Sequence, residues 1–116
     1  MITLKQAYEI AQAGIPEGCI LGRMCELPDC WTYLYRDKDN GEEDDISPTA
    51  ISKTNGTEYV FFPPDYSREY LSKAEYVLLS ELEKLMPPED FELMKKYREQ
   101  DEREDAEWRK NHDRST

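Results

Sequence analysis

Ala50-Ile51-Ser52-Lys53-Thr54-Asn55-Gly56-Thr57-Glu58-Tyr59-Val60-Phe61-Phe62 is the stretch that decides the fold. Ala50-Ile51-Ser52-Lys53 and Glu58-Tyr59-Val60-Phe61-Phe62 flank Thr54-Asn55-Gly56-Thr57. Asn-Gly supplies both positive-φ positions of a type I′ turn, so the stretch predicts a β-hairpin turning at Asn55 and Gly56. Pro48 has no amide donor, which places the start of the first hairpin strand on a sheet edge or at a bulge. Pro63 and Pro64 end the second strand.

Upstream lie two more strand patterns. Cys19 to Leu27 is apolar with interruptions and predicts a strand with a bulge near Gly22. Leu27-Pro28-Asp29-Cys30 reads as a turn. Trp31, Tyr33 and Tyr35 then alternate with Thr32, Leu34 and Arg36, the period of a strand. Their face is either core or an exposed aromatic patch for a partner. At the N-terminus, Thr3 and Gln6 have capping-box spacing, and Leu4, Ala7, Tyr8 and Ala11 share one helical face. Gly14 suits a left-handed helix end, and Pro16 prevents continuation.

Downstream the pattern is helical. Asp65 or Ser67 can cap a helix reaching about Met86, with Tyr70, Leu71, Ala74, Val77, Leu78, Leu82 and Leu85 as its apolar stripe. Pro88, Glu89 and Asp90 open a further helix. Its stripe of Phe91, Met94 and Tyr97 fails after Tyr97, where Glu99–Arg103 and Asp105–Arg109 have the spacing of ion pairs. The expected architecture is α+β: a four-stranded antiparallel sheet, an N-terminal helix and two C-terminal helices, mainly on one face. Residues 1–97 form the expected single domain, and residues 98–116 a charged helical or frayed tail.

Charge restricts function more than any motif does. The 116 residues carry 26 acids against 15 Lys and Arg, a net −11. Such a surface repels phosphate backbones and anionic membranes, so direct nucleic-acid or membrane binding is not expected. It steers basic proteins instead. Asp37-Lys38-Asp39-Asn40-Gly41-Glu42-Glu43-Asp44-Asp45 holds six of the acids and one lysine. This segment is either a docking surface for a cationic partner or a solvated loop that aids solubility. As a calcium loop it fails on spacing: glycine comes one position early, and Pro48 stands where the final glutamate belongs.

Cys19, Cys25 and Cys30 contain no C-x-x-C pair, and His112 is the single histidine. No zinc set or Ser-His-Asp triad can be assembled, so no cofactor, metal or catalytic residue is expected. Free thiols without an export signal point to a reducing cytoplasm.

Ile2-Thr3-Leu4-Lys5-Gln6-Ala7-Tyr8, the aromatic strand at Trp31, and Pro48 followed by Ile51-Ser52-Lys53-Thr54-Asn55-Gly56-Thr57-Glu58 resemble short bacterial immunity proteins of polymorphic-toxin systems. The resemblance spans residues 1–80 and leaves out the charged segment after Pro87. It implies a non-enzymatic, bacterial, cytoplasmic inhibitor that binds and neutralises a toxin. Joined to the charge, it predicts a basic toxin. Asp37, Asp39, Glu42, Glu43, Asp44, Asp45, Trp31, Tyr33 and Tyr35 are the candidate partner-binding residues. The alternative is a phage or mobile-element anti-defence protein that imitates nucleic-acid charge to block a DNA- or RNA-binding enzyme. That role needs carboxylates spread over an extended face.

Overall fold

The computed structural model describes residues 1–43 and 48–112. Its order is α1 (Leu4–Gly14), β1 (Cys19–Glu26), β2 (Cys30–Asp37), β3 (Thr49–Ser52), β4 (Glu58–Val60), a short 3-10 turn (Pro63–Asp65), α2 (Arg68–Leu71), β5 (Glu75–Tyr76), α3 (Leu79–Leu85) and α4 (Pro88–His112). The five strands form one antiparallel sheet in the order β4-β3-β2-β1-β5. The α+β architecture matches the sequence reading, with one strand more than expected.

α1 begins with a complete capping box between Thr3 and Gln6. It buries Ala7, Tyr8 and Ala11 against Met24, Trp31, Tyr33 and Ile51 of the sheet. α3 and α4 add Leu82, Met86, Phe91 and Met94 to the same cluster. A smaller cluster of Leu27, Cys30, Ala50 and Phe61 packs under Tyr66, Tyr70 and Leu71. Cys30 and Ala50 alternate with Trp31 and Ile51, so this cluster lies on the other sheet face. There Phe61, Tyr66 and Tyr70 stack with centroids 4.5 and 4.9 Å apart.

The β1–β2 register shifts between Leu21 and Arg23, which is the bulge expected at Gly22. The 50–62 hairpin forms, but its turn differs from expectation. Ile51 pairs with Glu58, and only Gly56 is left-handed, at φ 77°. Asn55 instead accepts the Thr57 N–H on its side-chain oxygen, and Gly56 N–H donates to Ser52. A longer loop with its own side-chain bonds replaces the two-residue turn. Pro48 precedes an inner strand and accepts from Phe61, so the edge falls to β4. Gly14 is not left-handed; a Cβ there would meet the Tyr33 hydroxyl.

The helix expected up to Met86 is broken. Ser67 caps α2 by accepting from Tyr70 N–H, but the helix stops at Leu71. Glu75 and Tyr76 pair with Glu26 and Cys25, and Val77 N–H donates to Met24. The open edge of β1 needed a partner, and tertiary pairing overrode the helical period. Pro88 starts α4 as expected. The helix passes residue 97 without a break, and its side chains are exposed from Glu102 to Lys110. Neither Glu99–Arg103 nor Asp105–Arg109 appears among the ion pairs of the described residues. Among those residues no helix is long and apolar enough to cross a membrane.

Candidate functional site

The chain leaves β2 at Asp37 and turns back at once. Gly41 N–H donates to the Asp37 carbonyl, and Asp37 N–H donates to the Glu42 carbonyl, both at 2.9 Å. Asp37 and Asn40 brace the turn by accepting the Asp39 and Glu42 amides on their side chains. Gly41 takes φ 74°, and a Cβ there would strike the Tyr97 ring. Glycine is therefore needed twice, for the backbone angle and for the approach of α4. Tyr97 closes the contact from the helix side, its hydroxyl donating to the Lys38 carbonyl at 2.6 Å.

Beneath the turn lies Arg36, 1% exposed. It donates to the Gly41 carbonyl at 3.0 Å, to Glu43 at 3.2 Å and to Asp101 of α4 at 2.7 Å. One guanidinium thus joins the sheet, the turn and the last helix. Its Nε has no partner and packs where the bulge leaves room over Gly22. Arg23 joins the group by donating to Glu43 at 2.5 Å. Burial lowers its pKa, but Glu43 outweighs this and holds the guanidinium more firmly charged than usual. Two cations and two carboxylates compensate each other here, as a buried charge requires.

The sequence-derived candidates separate into three groups. Trp31 and Tyr33 are 5% and 4% exposed, and Lys53 Nζ lies 5.1 Å from the Trp31 ring centroid. Tyr35 is half-buried against the same core. The aromatic row is therefore core and offers no open face to a partner. Tyr33 also donates to Glu58 at 3.0 Å, and burial followed by Glu58 pushes its pKa up to about 12. Glu43 is consumed by the arginines. Asp37 is half-buried in the turn, whereas Asp39 and Glu42 are exposed. Asp44 and Asp45 lie outside the described residues.

A cleft of about 410 Å³ runs between the turn and α4, lined by Glu42, Glu43, Gln100, Asp101 and Glu104 with Arg36 below. Asp101 and Glu104 were placed in the tail by sequence. Here they share a surface with the acidic turn. Among the described residues, the side chains of Glu42 and Glu104 enter no ion pair. Sequence reasoning missed Arg36, Arg23 and Asp101. An arginine ending an aromatic strand gives no sign of burial until its partners, 65 residues away in the case of Asp101, are known.

All three cysteines are free thiols. Cys30 is buried, and burial pushes the Cys25 thiol up, away from nucleophilic character. Among the described residues, no group of three or more His, Cys, Asp or Glu could hold a metal. No family model, curated protein or solved structure matches the chain.

Proposed function

We propose that the chain is a non-enzymatic binding protein, an immunity-type inhibitor that neutralises a basic protein toxin in the cytoplasm of the cell that makes it. The observation carrying this reading is the turn–α4 cleft, in which Glu42 and Glu104 face solvent without a countercharge among the described residues. A lysine or arginine from a partner would supply that charge. The net −11 would speed its approach. The ion pairs around Arg36 fix the cleft beforehand, which reduces the ordering cost of binding.

A second reading has support of its own. Acids from residues 37–43 and from α4 share one surface, and an extended acidic face is what a protein imitating nucleic-acid charge would require. One experiment separates the two. Proteins retained by the immobilised chain at physiological salt are assayed for activity with and without it. A basic toxin silenced at equal stoichiometry supports the first reading. A DNA- or RNA-binding enzyme released by added nucleic acid supports the second. Unchanged inhibition by Glu42→Gln with Glu104→Gln overturns the role of the cleft. Glu43 is spared in this variant because it holds the fold.

A further inference from the structure

Tyr76, Leu78 and Leu79 are 56%, 68% and 38% exposed around β5 and the start of α3. With Val77, Ser80 and Arg98 they line a groove of about 430 Å³ at the β5 edge of the sheet. Leu78 occupies the N-cap of α3 and makes no capping hydrogen bond. Leucine is a poor residue there: it satisfies no helix amide and presents its side chain to water. Serine or aspartate would cap α3 without removing anything from the core. Folding alone therefore disfavours leucine at position 78 on two counts.

Acids outnumber cations in the surroundings. Arg98 lines the groove and keeps its positive charge over the Tyr76 ring, 5.7 Å from its centroid, while Arg23 is paired with Glu43. Glu75 is exposed on β5, and Glu102 and Asp105 are exposed in the hollow that adjoins the groove at Tyr76 and Arg98. Trp108, 60% exposed, follows Asp101 and Asp105 at helical spacing on the same face of α4. An apolar centre with aromatic side chains and a charged rim is the composition of a protein-docking surface. A second copy would bring another net −11 to this rim, so charge disfavours self-association and favours a cationic partner.

We propose that the Tyr76–Leu78–Leu79 groove docks an apolar segment of a basic protein, whose flanking lysines or arginines meet Glu75, Glu102 and Asp105. This rests on the reading that the partner is basic, and adds where its apolar contacts fall. Two short peptides of equal positive charge test it, one alternating lysine with leucine and the other lysine with serine. Each is titrated into the full chain at physiological salt, with amide shifts followed by NMR. The lysine–leucine peptide is expected to bind about tenfold tighter, the worth of burying one to two leucines partway. It should shift Tyr76 to Ser80. Leu78→Ser should melt no lower than the parent and lose that advantage, and Leu79→Gln should lose it independently. Equal affinity for both peptides, or no loss in either variant, overturns the groove and leaves the basic-partner reading standing. Failure of both peptides to bind overturns the two together. A free chain that sediments as a dimer, and that Leu78→Ser dissolves, would give the groove to a second copy and also overturn the proposal.

Discussion

At the β3 side of the sheet, α1 lies on Ile51 and buries Ala7 and Ala11 completely. Beyond the start of β1, the acidic turn and α4 meet over one guanidinium, Arg36. The first contact is made by removing apolar area from water, which is non-directional and not screened by ions. The second is made by charge-assisted hydrogen bonds, which demand geometry and leave nearby carboxylates facing solvent. The difference teaches how each side is held: the hairpin side by apolar burial, and the acidic side by ion pairs that leave Glu42 and Glu104 outside them among the described residues.

Removing Arg36 should separate the two regions most sharply. Arg36→Met leaves the Gly41 carbonyl without its guanidinium donor and Glu43 and Asp101 short of a cation. The expected cost is roughly 3 kcal/mol, at the lower end for a broken pair because both carboxylates are partly exposed and keep Arg23. Hydrogen exchange should quicken in residues 38–43 and beyond Tyr97 by more than in Thr49–Val60. Equal quickening everywhere would erase the distinction.

The hairpin side has its own weak point, at high pH. Burial and Glu58 favour the neutral Tyr33 phenol in the folded state. The folded chain therefore holds this proton more tightly than the unfolded one. The stabilisation is fully present below about pH 10 and is lost as pH rises toward about 12, on the order of 2 kcal/mol in all. Urea melts across that range should show the fall, and Tyr33→Phe should make it shallower without removing it, because burial raises Tyr59 and Tyr70 as well.

Truncation after Tyr97 probes the acidic side more gently. It removes Asp101 but keeps Phe91 and Met94. A folded protein should remain, weakened by about 1.5 kcal/mol, the lower end for a hydrogen bond to a charged group because Asp101 is partly exposed. Exchange in the hairpin should follow the global change only. Smallest of all is Leu78→Ser, expected to raise stability by about 0.5–1 kcal/mol through a restored N-cap, read from the urea midpoint.

What the sequence revealed follows the same division. The capping box at Thr3, the bulge at Gly22 and the hairpin around Gly56 depend on neighbours a few residues away, so they were legible. β5 was hidden because Tyr70, Leu71, Ala74 and Val77 fit a helical period, and only the unpaired edge of β1 decides against it. The aromatic row could be placed on one strand face but not assigned to core or surface, since that depends on which face α1 covers. Arg36 was illegible as a site because its partners come from two distant segments. The exposed acids were readable as charge, yet Glu104 joined Glu42 only once α4 had been docked by Tyr97 and Asp101.

The claim that the acidic side is the binding side is tested most directly with charge-matched variants. Glu42→Gln with Glu104→Gln removes two carboxylates from the cleft. Glu9→Gln with Glu17→Gln removes two exposed carboxylates from the α1 side, and so changes net charge equally. Affinity for the basic protein retained by the immobilised chain is measured for both at physiological salt, where screening over about 8 Å suppresses the effect of net charge alone. The dissociation constant should rise about tenfold for the cleft variant, as two partly screened ion pairs imply, and stay within about twofold for the control. An equal rise in both would contradict the account and reduce the acidic turn to a solubility feature.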